Sequence, residues 1–215
     1  MHAFDWFGNH FVLSEHRVIF WEEQQTIIAS DLHLGKSGHF RKSGIAIPQE
    51  IMKQDLMRLF HVLQHFGAKK ILVVGDMFHS TANQELQWFA KWRNDLPHIE
   101  WVLIQGNHDI LQPDWYAAQH IALHDTFTIG NLLFTHEPPA LQLPVGTQAV
   151  ISGHIHPGIH LSGAAKQQMR LPCFYFSQHQ CILPAFGVFT GTHLIKPKKQ
   201  DRIFAIANQT IIPIQ

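Results

Sequence analysis

Short apolar runs recur along the chain, and each leads into a polar turn bearing histidine, aspartate or asparagine. Residues 26–29 run into Asp31, residues 71–74 into Asp76 and residues 101–104 into Asn107, while residues 132–134 precede His136 and residues 149–151 precede His154. Runs this short predict buried strands rather than helices, and strands feeding loops at one sheet edge would gather all five turns there.

Helical periodicity fills the gaps between them. Residues 48–66 place Met52, Leu56, Leu59, Phe60, Leu63 and Phe66 on an apolar stripe, with Pro48 suited to a first turn and Gly67 to the stop. A second helix is predicted over residues 84–95, with Asn83 as N-cap and an end before Pro97. Residues 11–28 read as strand pairs. From Leu161 onward the helical period vanishes, and residues 174–176, 187–190 and 203–214 read as strands, the last pair turning at Asn208-Gln209. No internal repeat or linker interrupts the pattern, so residues 1–215 are expected to form a single domain.

Composition narrows the function. Of 215 residues, 46% are hydrophobic, enough for a substantial core, and 16 Lys+Arg balance 16 Asp+Glu. A polyanion would therefore have to be bound by a local patch or by bound metal, not by global charge. The 18 histidines outnumber the lysines and arginines, and neutral imidazole is the commonest protein ligand for transition metals. Residues 1–10 lack the basic and apolar blocks of a signal peptide, and no apolar run approaches the roughly 20 residues needed to cross a bilayer. Cys173 and Cys181 lack C-x-x-C spacing and read as small buried hydrophobes. A reduced, cytoplasmic protein without membrane attachment is expected.

The five turns offer one kind of chemistry. Asp31-Leu32-His33, Gly75-Asp76, Gly106-Asn107-His108-Asp109, Thr135-His136 and Gly153-His154-Ile155-His156 present hard oxygens and imidazole nitrogens. That mixture suits Mn, Fe or Zn at sites with open positions, whereas a closed structural zinc site would draw on cysteines at regular spacing. Taken singly, a D-x-H is as easily a capping turn as a ligand pair, Asp76 a turn residue and His136 a satisfied buried histidine. The period of two in G-H-x-H puts both imidazoles on one face of an extended strand, and five such turns in series make chance a poor explanation. A carboxylate can bridge two cations about 3.5–4 Å apart, which clamp the attacking and leaving oxygens at phosphorus and lower the pKa of a shared water. Phosphoester hydrolysis by a metal-bridging hydroxide follows from that donor set.

The ordered series D-x-H, G-D, G-N-H-D, H, G-H-x-H, spanning residues 31–156, resembles the calcineurin-like metallophosphoesterase superfamily. The resemblance implies an α/β fold, a four-layer α-β-β-α sandwich of two mixed β-sheets flanked by helices. It also implies two divalent cations, Mn2+ foremost, with Fe or Zn as alternatives. Asp31, His33, Asp76 and His156 would hold one, while Asp76 as the bridge, Asn107, His136 and His154 would hold the other. His108 would contact the phosphate and protonate the leaving oxygen, and Asp109 would orient or polarise His108.

Further segments extend the likeness. Asp31-Leu32-His33-Leu34-Gly35-Lys36, Phe40-Arg41-Lys42-Ser43-Gly44, Leu171-Pro172-Cys173-Phe174, Leu183-Pro184-Ala185-Phe186-Gly187 and Phe189-Thr190-Gly191 are similar to the bacterial ligase-associated DNA damage response endonucleases. That narrower resemblance implies a Mn-dependent phosphodiesterase cleaving DNA, single-stranded by preference, in DNA repair, with functional links to a DNA ligase, a helicase and a nuclease. Lys36, Arg41 and Lys42 would meet phosphates beside the scissile one, against the simpler reading of a solvated loop. The basic stretch of Lys196, Lys198, Lys199 and Arg202 reads as solvated, His79 as an orienting hydrogen-bond partner, and Trp88, Phe89 and Trp92 as packing residues rather than a base-stacking platform. Two other functions stay open on the sequence: a phosphoesterase or pyrophosphatase for a small nucleotide or lipid-linked substrate, and a non-catalytic binding scaffold.

Overall fold

The computed structural model describes residues 1–35, 50–78, 84–139, 143–162 and 168–214. Within these, the apolar runs become two packed sheets. The first contains β1 (His2–Trp6), β2 (Asn9–Ser14), β3 (Val18–Trp21), β4 (Thr26–Ala29), β5 (Lys70–Val74), β6 (Glu100–Ile104) and β7 (Ile121–His124), in that order. It is antiparallel from β1 to β4 and parallel from β4 to β7. The second comprises β8 (Thr126–Ile129), β9 (Leu132–Thr135), β10 (Ala149–Ser152), β11 (Pro157–Ser162), β12 (Gln168–Phe176), β13 (Gln180–Ile182), β14 (His193–Leu194), β15 (Arg202–Ala207) and β16 (Thr210–Pro213). Its strand β10 lies between β9 and β13 and runs parallel to both.

Strands β4, β5 and β6 are nearly continuous in apolar residues because both faces are covered. Ile28, Leu72, Val74 and Ile104 point between the sheets to meet Phe134, Ile151, Phe174 and Phe176. Their neighbours Ile27, Ile71, Val73 and Leu103 point the other way, under α1 (Glu50–Phe66), α2 (Gln84–Asn94) and α3 (Pro113–Ala118). This is the period-two alternation of strands at work. Phe89 is fully buried against Phe78, Trp101 and Trp115, so its truncation to Ala would cost about 3–5 kcal/mol. Trp88 and Trp92 pack half-buried on the same core, as their spacing predicts.

Two mixed sheets with few helices match the expected class. All three described helices cover the first sheet; the second carries on its outer face a small cluster of Ile159, Leu171, Cys173, Ile203 and Ala205. Helix α1 buries Met52, Leu56, Leu59, Val62 and Leu63, but leaves the predicted Phe60 exposed. It ends as expected: Gly67 has φ 57°, and the Ala68 N–H donates to the Leu63 carbonyl at 3.0 Å in a Schellman arrangement. Pro48 and Asn83 lie outside the described residues. Asn208 and Gln209, both at positive φ, turn β15 into β16.

One predicted strand is corrected. Residues 187–190 form a turn, because the backbone groups of 185–187 bond to side chains and to the loop after β4 rather than to a neighbouring strand. Strands β1, β7, β8, β11, β13 and β14 and helix α3 were not anticipated. None of the described helices is long and apolar enough to cross a membrane.

Candidate metal centre

Parallel pairing of β4, β5 and β6 brings the turns after residues 29, 74 and 104 to one edge. The turns are themselves tied by backbone bonds: Asp31 N–H to the Gly75 carbonyl at 3.0 Å, and His33 N–H to the Asp76 carbonyl at 2.9 Å. From the other sheet, the Gly153 N–H donates to the His136 carbonyl at 3.0 Å, joining the turns after β9 and β10. Because the sheets pack face to face, both groups of turns share one rim.

Two overlapping donor groups result. Ligand atoms of Asp31, His33 and His156 lie within 4.8 Å of one another, as do those of Asp31, Asp76 and His136, and either group could hold a cation. Asp31 is common to both, whereas the resemblance gives the shared place to Asp76. Asp31, His33, Asp76 and His136 are all buried, which is unusual for so many polar groups in one place.

Asp31 Oδ2 accepts hydrogen bonds from the Ser30 hydroxyl and from the His154 N–H at 3.1 Å. Its Oδ1 faces His156 Nε2 at 3.1 Å, and neither enclosed atom makes a hydrogen bond of good geometry. A buried carboxylate oxygen and an imidazole nitrogen left facing each other are a donor pair that a cation fits. Burial alone would push the Asp31 carboxyl up, but the His156 imidazole, the Ser30 hydroxyl and His136 hold it below the usual carboxylate value. It is ionised at neutral pH, as a ligand must be.

His136 Nδ1 sits 3.2 Å from the Val74 carbonyl and donates to it, which leaves Nε2 as the lone-pair nitrogen. That Nε2 lies 3.5 Å from Asp76 Oδ1 and 3.2 Å from His154 Nδ1, so carboxylate and imidazole donors converge there too. Asp76 Oδ1 accepts the His108 N–H at 2.9 Å, and its Oδ2 lies 4.0 Å from His108 Nε2. The His108 ring, 48% exposed, stands at the open side of the cluster, 5.6 Å from the His33 ring centroid. Asn107 is exposed on the same turn.

Asp109 is buried, and its oxygens accept three backbone N–H groups: Met77 at 2.9 Å and Phe78 at 3.1 Å on Oδ1, and Gly106 at 2.9 Å on Oδ2. It staples the Asp76 turn to the His108 turn. Burial pushes its carboxyl up to about 6, only partly offset by the Gly106, Phe78 and Met77 amides, with the Asp76 charge adding to the rise.

The backbone bears the mark of a functional site. Asp31, His33, Asp76, His154 and His156, five of the predicted ligands, all have φ between 48° and 65°. Left-handed conformations cost non-glycine residues free energy and persist where the surroundings enforce them. Side chains also crowd the turns: a Cβ on Gly153 would stand 1.7 Å from Ser30 Oγ and 2.6 Å from Asp31 Oδ2, so only glycine leaves that cradle open. The sequence reading missed Ser30, although a hydroxyl beside the first predicted ligand was a signal for it. Lys36, Arg41, Lys42 and His79 lie outside the described residues. The 196–202 stretch is mostly exposed, with Asp201 accepting the Lys198 N–H at 2.7 Å and the Tyr175 hydroxyl at 2.7 Å. Cys173 and Cys181 are free and buried, and burial pushes both thiols up.

Residues 25–158 match the calcineurin-like phosphoesterase family. The whole structure is similar to the nuclease MPE of Pseudomonas putida, with a TM-score of 0.83 and 28% identity over 99% of both chains. The YfcE phosphoesterase of E. coli gives a TM-score of 0.46 at 14% identity, over 87% of this chain and 96% of that one. No curated protein matches the sequence significantly.

Proposed function

The chain belongs to the calcineurin-like phosphoesterase family, and we propose that it is a dinuclear-metal phosphodiesterase that cuts DNA internally. One observation carries the metal reading: the paired donor groups of Asp31, His33 and His156 and of Asp31, Asp76 and His136 share one buried rim. Asp31, His33 and His156 would hold the first cation, and Asp76, His136, His154 and Asn107 the second. Bound there, two divalent cations supply Lewis acidity at phosphorus and lower the pKa of a water enough for attack near neutral pH.

The chain's own residues do the rest. Asp109 fixes the turn that carries His108, through the Gly106 amide on one side and the Met77 and Phe78 amides on the other. Asp76 anchors the His108 backbone. The exposed His108 imidazole then faces the side where a leaving oxygen departs, and donates its proton there. Nucleic acid as substrate is supported by the likeness to the Pseudomonas putida nuclease over the full length of both chains. Manganese as the working metal and a place in DNA repair, with a DNA ligase, a helicase and a nuclease as functional associates, complete the proposal.

Circular single-stranded DNA has no ends, so incubation with Mn2+ tests the proposal directly. Linearisation by the wild-type chain and none by His108→Ala is the expected result. Intact circles beside rapid hydrolysis of a small chromogenic ester would replace DNA with a small phosphoester.

A further inference from the structure

The turn that replaces a predicted strand lies against the back of the metal rim. The Phe186 N–H donates to the Ser30 carbonyl at 2.8 Å, and the Gly187 N–H to the Asp31 carbonyl at 3.1 Å. A Cβ on Gly187 would stand 2.8 Å from the Leu32 carbonyl oxygen. Residues 186–187 thus press on three consecutive residues around Asp31.

Two arginines hold the other side of this strap. Arg17, from the β2–β3 turn, donates through Nη1 to the Ala185 carbonyl at 3.2 Å and the Gly187 carbonyl at 3.3 Å. Arg58, from α1, donates through Nη2 to the Phe186 carbonyl and stacks 4.0 Å over the Phe186 ring. The same Nη2 pairs with Asp55 Oδ1 at 2.9 Å. Three successive carbonyls are therefore held by two guanidinium groups from segments remote in sequence.

We propose that Arg17, Asp55 and Arg58 are positioning residues for the metal site, holding the 185–188 strap that sets Asp31 and, through the adjoining backbone, His33. The proposal rests on the reading of Asp31 and His33 as metal ligands. Both residues sit in the left-handed region, at φ 52° and 48°, and such backbone must be held from outside. Stabilisation is a poor explanation for the cluster. Burial pushes the Asp55 carboxyl up to about 6 and the Arg58 guanidinium down to about 10, both against their charged forms. A buried ion pair of that kind adds little to folding, whereas the rigid guanidinium fork fixes direction.

Arg93 provides the control. It is also buried, donates to the Leu96 carbonyl at 2.6 Å and the Ile99 carbonyl at 3.2 Å, and among the described residues has no hydrogen bond to the metal turns. Mn2+ binding to the intact chain is measured by titration calorimetry for wild type, Arg17→Met, Arg58→Met, the milder Arg17→Lys and Arg58→Lys, and Arg93→Met, with a thermal melt of each. The strap variants are expected to bind Mn2+ roughly 10–100-fold more weakly, the lysine variants falling between, with hydrolysis recovering at high Mn2+. Arg93→Met is expected to lose thermal stability while keeping its Mn2+ affinity. Strap variants that bind Mn2+ like wild type, or Arg93→Met weakening it equally, would overturn this inference alone. A wild-type chain that takes up no Mn2+ would overturn the metal reading and this inference with it.

Discussion

The His108 backbone N–H donates to Asp76 Oδ1 at 2.9 Å, and the His108 imidazole Nε2 stands 4.0 Å from Asp76 Oδ2. One carboxylate thus addresses both the backbone and the ring of the proposed acid. Whatever fixes Asp76 therefore also fixes the placement of the proposed proton donor.

Replacing His108 by Ala should lower turnover of a DNA diester by roughly 10²–10⁴-fold, the usual contribution of a general acid. A diester whose leaving group is already a weak base needs no proton, so nitrophenyl diester hydrolysis should fall far less. Equal losses on both substrates, measured at saturating Mn2+, would remove His108 from the proton-donor role.

Chelation by EDTA should abolish hydrolysis without unfolding the chain, because the two apolar clusters that flank the first sheet do not include the rim donors. Returning Mn2+ at 100 times its dissociation constant should raise the unfolding free energy by about 2.7 kcal/mol per site. Thermal melts with and without metal measure this, and His136→Ala should lose part of the increment.

Asp109 accepts three backbone N–H groups, so Asp109→Ala leaves three amides without an acceptor. At about 1 kcal/mol or more for each unmet buried donor, the loss should reach about 3 kcal/mol. Asp109→Asn keeps one acceptor oxygen and should lose less. Urea unfolding separates the two; an Ala variant as stable as wild type would contradict the staple.

Asp55 gives stability a distinct pH signature. Its folded value of about 6 lies above the ordinary 3.8, so the folded chain holds this proton more tightly than the unfolded one. Its contribution is then fullest below about pH 4 and is lost as pH rises through about 6, by up to about 3 kcal/mol at 1.4 kcal/mol per pKa unit. Arg58, lowered by burial to about 10, stays charged throughout that window. The stability gap between wild type and Asp55→Asn, followed by urea unfolding from pH 4 to 7, should shift in favour of the variant as pH rises.

The strands beside the site were legible because they are buried on both faces, and such strands are written as unbroken apolar runs. β4 has the predicted bounds, and β5, β6, β9 and β10 extend theirs by one residue. β1 was not legible: its sequence, His-Ala-Phe-Asp-Trp, buries only Phe4, and its pairing with β2 defines it. Helix α3 has six residues, too few to establish a helical period.

By itself the sequence determined which residues could bind cations and that they follow strands, because donor chemistry and apolar runs are local properties. Tertiary structure decided the rest. Only parallel pairing within each sheet and packing of one sheet on the other put Asp31 in both donor groups. Only the folded chain sends the Asp109 carboxylate to three amides and turns residues 187–190 into part of a strap under two arginines. Those partners lie up to 170 residues apart in the chain, and no local pattern records which distant group will satisfy a backbone carbonyl.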